Sequence, residues 1–296
     1  RKLGVPMGSL SILACPLCKN SLHVSNGVIE DNQIVDADIY CACGYHSTIQ
    51  DGIYVDEAAL REKKLNGEKM PTKEEYMEKA SNSFINFMYK GITTLIEQIN
   101  NYGKETTYIM ELNNCVGFFL LQYIRFLPRK STYILIDYDK ERIKQLKIDL
   151  EMHYEHDNFI FLCCDIHRLP IARASINVMA DFWMTKSYAE STGEFLPDRV
   201  LPLLKEDGLF VASFQGIEKN VSSNNKFMSA NYLKPDVIVN KLSAHNLKEV
   251  NFIETQPIVE DNPYNKDIQG VEIYQAIYAG TKNKQRAAYN KVVRIK

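Results

Sequence analysis

The chain has 296 residues, enough for one sizeable α/β domain plus a small companion module. Its apolar fraction of 45%, charged fraction of 24% and formal net charge of −2 describe an ordinary globular protein with no bulk pull toward nucleic acid or acidic membranes. No apolar run is long enough for a membrane-spanning helix, no signal peptide is visible, and the cysteine distribution fits one metal site in a reducing, cytoplasmic setting rather than a disulfide scaffold.

The sequence opens on Arg1 rather than Met and is read as a fragment. Residues 1–14 are a leader too short to fold alone, either a plain strand or tail or the end of an upstream domain. Arg1-Lys2-Leu3-Gly4-Val5 with Ser9-Leu10 and Ile12 resembles the segment that follows the DNA-binding helices of MerR-type transcriptional regulators. That resemblance implies DNA contact only through an upstream domain.

Residues 15–56 read as a zinc ribbon. Cys15-Pro16-Leu17-Cys18 is a C-x2-C knuckle, and Cys41-Ala42-Cys43-Gly44 supplies a second pair. Two such pairs, each at a turn, can present four thiolates tetrahedrally to a structural Zn²⁺. Cys15, Cys18, Cys41 and Cys43 are the expected ligands, with His46 close enough in sequence to replace Cys41 or Cys43. Short strands over 22–30 and 33–40 flank the turn Asp31-Asn32, and metal supplies stability that so small a core lacks. Gln50-Asp51-Gly52-Ile53 resembles the last strand of ribbons fused to methyltransferases.

Residues 57–103 read as a linker and a helical lid. The stretch 57–75 is rich in Lys and Glu, whereas 81–100 places Phe84, Phe87, Met88, Ile92, Leu95, Ile96 and Ile99 at helical spacing.

From residue 104 to 283 strands and helices alternate, which predicts an open, mostly parallel sheet covered on both faces. A strand over 107–112 carries Glu111, Asn113-Asn114 turns, a helix covers 116–126, and a second strand ends on Asp137. Asp137 lies 20 residues beyond Gly117, the spacing of a ribose-binding acid in a βαβ half-site. At these residues the chain resembles the class I S-adenosylmethionine-dependent methyltransferases. Their first motif, acid-x-Gly-x-Gly-x-Gly, reads here Glu111-Leu112-Asn113-Asn114-Cys115-Val116-Gly117, retaining the acid and the last glycine. Further on, Asp165-Ile166-His167-Arg168-Leu169-Pro170 resembles the family phrase whose acid accepts from the adenine amino group. Strands over 159–164, 175–181 and 209–214, helices over 140–152, 194–204 and 232–246, and closing strands over 250–258 and 274–281 complete the pattern. Lys205-Glu206-Asp207-Gly208 reads as a Gly-capped helix exit, and 284–296 as a basic tail.

The resemblance implies a Rossmann-like seven-stranded methyltransferase sheet behind the ribbon. It assigns S-adenosylmethionine contacts to Glu111, Asn113, Cys115, Gly117, Asp137, Tyr138, Asp165, Ile166 and Asp181. It makes Tyr76, Phe84 and Tyr89 candidate lid residues, and Asp181, Trp183, Lys186 and Tyr188 candidates beside the methyl acceptor, an RNA or a small molecule. Methyl transfer from a sulfonium needs in-line positioning more than acid–base help, so no fixed catalytic set is expected. Cys115 stands where a side chain obstructs a cofactor or clashes at positive φ. Two functions follow: a zinc-ribbon methyltransferase, or a non-catalytic methyltransferase fold serving as a sensor or interaction module of a MerR-type regulator.

Overall fold

The computed structural model describes residues 1–64, 73–104, 106–114, 117–217, 234–259 and 270–284. Cys115 and Val116 of the first motif and the basic tail from residue 285 lie outside the described residues.

The first 55 residues are built from short antiparallel strands. β1 (Val5–Pro6) leads through a 3-10 turn (Met7–Ile12) to β2 (His23–Glu30), β3 (Gln33–Tyr40), β4 (His46–Gln50) and β5 (Ile53–Val55). Positive φ at Asp31 and Asn32 turns β2 into β3, as suits residues whose short polar side chains tolerate that conformation. Three helices follow: α1 (Glu57–Lys64), α2 (Lys73–Lys79) and α3 (Asn82–Asn100). Ser81 caps α3 by accepting from the Phe84 amide at 3.1 Å.

The remaining strands are β6 (Tyr108–Asn114), β7 (Thr132–Asp137), β8 (Phe159–Cys163), β9 (Ile176–Phe182), β10 (Leu204–Ile217), β11 (Leu247–Glu254), β12 (Ile258–Val259) and β13 (Glu272–Lys282). Between them lie α4 (Phe118–Tyr123), α5 (Lys140–His153), α6 (Met184–Thr192), α7 (Leu196–Val200) and α8 (Pro235–Leu242). The sheet order is β1-β3-β4-β5-β8-β7-β6-β9-β10-β13-β11, with β2 on β3 and β12 on β13. β5, β8, β7, β6, β9 and β10 are mutually parallel, and β13 runs antiparallel between β10 and β11.

Among the described residues, the seven strands β8-β7-β6-β9-β10-β13-β11 of the α/β region are continuous with the ribbon strands in one thirteen-stranded sheet. β5 continues the parallel array by pairing Ile53, Tyr54 and Val55 with Phe161, Leu162 and Cys163 of β8. The leader joins it too. Val5 pairs with Ile34, and the Ala14 amide donates to Pro170 O at 3.0 Å.

Strand alternation divides the core between the faces. Tyr133 and Leu135 of β7 look toward α3, α4 and α5, while Ile134 and Ile136 look toward α6, α7 and α8. The order also reverses once. β7 and β8 step away from β6 on one side, β9 and β10 on the other, which puts the topological switch point between β6 and β9. Open α/β sheets bind ligands at such a point, outside the carboxyl ends of the strands.

Three local readings are corrected. The expected helix over 194–204 is the short α7 followed by a 3-10 turn (Leu201–Leu203), and β10 already begins at Leu204. The expected Gly-capped exit is an irregularity within β10, where Asp207 and not Gly208 takes positive φ (61°). The single expected strand over 250–258 divides into β11 and β12.

One glycine shows how tightly α3 sits. A Cβ on Gly91 would meet Gln275 Oε1 at 1.9 Å, and the Gln275 side chain is fully buried. Gly91→Ala is expected to destabilise the fold by about 1–3 kcal/mol through overpacking. The urea midpoint measures this, and an unchanged midpoint would show that Gln275 repacks freely.

Candidate functional site

The four cysteines named as metal ligands cluster locally. The Cys15 and Cys43 sulfurs lie 3.7 Å apart and those of Cys18 and Cys41 3.5 Å apart, and all four lie within 4.8 Å of one another. A tetrahedral zinc with bonds of about 2.3 Å holds its sulfurs about 3.8 Å apart, so the cluster has the dimensions of such a site. Backbone geometry prepares it. Gly44 at φ 97° lets its amide donate to Cys41 O at 3.0 Å, and the Cys41 amide donates to Tyr45 O at 2.9 Å. Amides of Leu17 and Cys18 point at Cys15 sulfur, and that of Asn20 at Cys18 sulfur, donors that stabilise thiolates. His46 begins β4 opposite Tyr40 and is not among the four clustered ligands.

Behind the knuckle the ribbon is tied to the α/β region by polar contacts. The Lys19 ammonium donates to Leu169 O at 2.7 Å and Ile171 O at 3.0 Å, and burial lowers its pKa to about 8. Tyr45 packs on Cys15 and Cys41 and places its hydroxyl 2.6 Å from that of Tyr54 on β5.

The acids named from the sequence lie in or just after the parallel strands β6, β7, β8 and β9. Asp137 closes β7 with no exposed surface. Arg142, in the first turn of α5, donates from Nε to Asp137 Oδ2 at 2.6 Å and from Nη2 to Oδ1 at 2.7 Å. The Asp139 amide adds a bond to Oδ1 at 2.9 Å, and Asp139 in turn caps α5. Burial opposes the Arg142 charge, but the Asp137 carboxylate outweighs it and holds the guanidinium above its ordinary range. Arg142 also lies over the ring of Tyr138, at 5.4 Å from its centre.

The other candidates have internal partners as well. Glu111 is buried in β6 and accepts from the Tyr133 hydroxyl at 2.8 Å, and burial pushes its carboxyl up to about 8. The Asn113 side chain bonds both backbone groups of Phe182, accepting from the amide at 2.8 Å and donating to the carbonyl. That clamp joins β6 to β9 beyond their last backbone pair, Glu111 with Ala180. Asp181 is buried and receives the Met184 amide at 2.7 Å and the Thr185 hydroxyl, so it caps α6, and burial pushes it up to about 6. Gly117 adopts φ 78° at the start of α4, a conformation that favours glycine. Asp165, just past β8 and beside the end of β7, accepts the His167 amide at 3.0 Å, while Ile166 is buried in the core.

On the acceptor side, Trp183 stacks on Phe182 with ring centres 4.3 Å apart and donates to Ser213 Oγ and Gln275 Oε1, each at 3.1 Å. Lys186 is paired with Glu190 at 3.0 Å, and the buried Tyr188 hydroxyl meets His167 Nδ1 at 2.7 Å. Of the lid candidates, Tyr76 packs edge-on against Phe118 at 5.4 Å and Phe84 packs on Trp183 at 5.8 Å. Tyr89 is half-buried and packs against the α3–α5 core. Sequence reasoning missed Arg142, Ser213, Gln215 and Gln275. An arginine five residues after the strand-ending acid was the available signal for the first; the other three had none.

No protein-family model matches the chain, and no curated protein matches it. Similar solved structures are S-adenosylmethionine-dependent methyltransferases and related proteins. A putative methyltransferase from Bacillus halodurans shares 8% identity over 65% of this chain and 100% of its own, with a TM-score of 0.49. The N-methyltransferase NodS from Bradyrhizobium japonicum shares 13% over 67% and 98%, at 0.45. An S-adenosylmethionine-dependent methyltransferase from Aquifex aeolicus shares 9% over 71% and 99%, at 0.46. Among the described residues no helix is long and apolar enough to cross a membrane.

Two outcomes follow from this geometry. Elemental analysis is expected to find about one zinc per chain. Because the ribbon shares the sheet and its core, chelation should lower one cooperative melting transition by about 10 °C, a loss of several kcal/mol at about 2–4 °C each. A melt insensitive to chelator would remove the metal. Glu111 gives a pH effect. Its folded value of about 8 exceeds the ordinary 4.5 of a glutamate in water, so the folded state retains a proton that the unfolded chain releases between them. Stability from this group is full below the lower value, falls by about 1.4 kcal/mol per pH unit as pH rises toward the upper one, and is flat above. Glu111→Gln should flatten the urea midpoint between about pH 5 and 8; a variant that keeps the parental slope would contradict the assignment.

Proposed function

We propose that this chain is a zinc-stapled, methyltransferase-like α/β module that has closed its cofactor crevice with its own side chains and works as a sensor or interaction module rather than as a methyl-transfer catalyst. Zn²⁺ would be held by Cys15, Cys18, Cys41 and Cys43 and would supply structure, not chemistry. The observation that carries the reading is the Asp137–Arg142 fork. A ribose needs the carboxylate at this strand end as a hydrogen-bond acceptor, and here both oxygens already receive a guanidinium. The Asn113 clamp and the Asp181 cap act in the same sense, since each turns a candidate ligand into a bond within the fold. DNA contact, if the chain serves a regulator, would come through a further domain.

The test is calorimetric titration with S-adenosylmethionine and S-adenosylhomocysteine. The expected dissociation constant is weaker than about 1 mM for both. Micromolar binding would overturn the reading and restore the enzyme. Arg142→Ala should cost about 3–5 kcal/mol of stability, because it strands a buried carboxylate, while Asp137→Asn with Arg142→Met should recover much of the loss. An Arg142→Ala variant as stable as the parent would show that the fork is incidental.

A further inference from the structure

We propose that the region beneath α2 and α3, at the carboxyl ends of β9 and β10, is a binding site for a small neutral aromatic molecule bearing an N–H donor, with Gln215 Oε1 as its acceptor. The proposal rests on the sensor reading and names the class of ligand sensed.

The first observation is an unmet acceptor. Gln215 is 3% exposed, and its Oε1 is buried with no hydrogen-bond partner among the described residues. Native proteins leave few such atoms, because a desolvated acceptor without a donor is costly. Strand alternation sets Gln215 on the same face of β10 as Ser213 and Ile217. Ser213 Oγ belongs to the polar seam with Trp183 and Gln275, and Ile217 packs with Phe84 and Phe87 under α3. The Gln215 amide thus stands between a polar seam and an aromatic cluster.

Donors within the seam are already committed. Trp183 Nε1 donates to Ser213 and Gln275, the Ser213 hydroxyl donates to Gln275 Oε1 at 2.9 Å, and Gln275 Nε2 donates to Phe87 O at 2.6 Å. None turns to Gln215, so the missing donor must come from outside this set.

The aromatic cluster indicates the shape of its carrier. The ring of Tyr76 lies 5.4 Å from Phe118, edge-on, and 6.2 Å from Phe84, which in turn leans on Trp183. Tyr76 belongs to the seven-residue α2 and is half-buried. A planar ring entering from this side would take the place of Tyr76 against Phe118 and Phe84 and bring an edge N–H toward Gln215. Burying a cation without a paired anion is costly, and the buried acid on this face of the sheet, Glu111, already accepts from the Tyr133 hydroxyl, so a neutral ligand fits.

The experiment uses the whole chain with benzimidazole and 1-methylbenzimidazole, neutral planar probes that differ in one N–H donor. Binding is followed by calorimetry and by the emission of Trp183, the only tryptophan. Benzimidazole is expected to bind about tenfold more tightly than its methylated analogue, the effect of one hydrogen bond to a buried acceptor. Gln215→Leu should erase that difference, and Tyr76→Ala should tighten benzimidazole binding by removing the ring that fills the slot. Binding seen only in Tyr76→Ala, and still dependent on the N–H, also supports the site. Equal affinity for the two probes in the parent overturns it, as does failure of both the parent and Tyr76→Ala to bind. If Gln215→Leu does not fold, the comparison of probes in the parent decides. Tight S-adenosylmethionine binding would instead overturn the closed crevice while leaving the N–H result standing.

Discussion

A carboxylate with no exposed surface must be neutralised where it stands, and Asp137 at the end of β7 is that constraint here. Arg142 meets it with a planar two-bond fork whose fit is set by local sequence. Asp139 caps α5, the cap fixes the first helical turn, and that turn carries Arg142 back over the strand end. Sheet, cap and ion pair are therefore mutually dependent. The fork and the Asp139 amide occupy both Asp137 oxygens in a carboxylate that has no exposed surface.

The neighbouring acids solve the same problem differently. Glu111 has no cation and keeps its proton, accepting a bond from Tyr133. Asp181 is tied to the first turn of α6, where amide and hydroxyl donors partly offset its burial. Three acids at adjacent strand ends thus adopt ion pair, neutral acid and helix cap. Each is a stable end point in itself, and each carboxyl group has a partner within the fold.

Legibility in the sequence followed the range of the interactions. The four-cysteine cluster was readable because its paired cysteines lie two or three residues apart and the turn glycine is adjacent. The strands of the parallel array were readable because strands buried on both faces become continuous apolar runs. What the pattern could not show is partnership. An acid ending a strand looks the same whether it receives a ribose or an arginine. Asn113 in a degenerate glycine motif gives no hint that its amide clamps Phe182, 69 residues away. The joining of ribbon and α/β region through β5 and β8 depends on residues more than a hundred positions apart. Gly208 misled because a glycine after Lys-Glu-Asp suits a helix end, whereas tertiary pairing with β9 and β13 drew the segment into β10.

The same accounting bears on where function remains. Satisfied groups hold a fold together, and an unsatisfied buried group persists only when something else requires it. Around the switch point the acids and amides are matched inside the chain, and α3 is stapled through Gln275 to the Phe87 carbonyl so closely that position 91 admits no Cβ. Gln215 Oε1 is one of four buried side-chain atoms without a partner among the described residues, with Ser47 Oγ, Asp56 Oδ2 and Arg168 Nη2. It lies on the second of the two strands beyond the switch point, under the aromatic rings that cover the strand ends. The β7 end of the sheet is thus held by a buried ion pair, whereas the β10 end keeps a buried amide oxygen without a described donor.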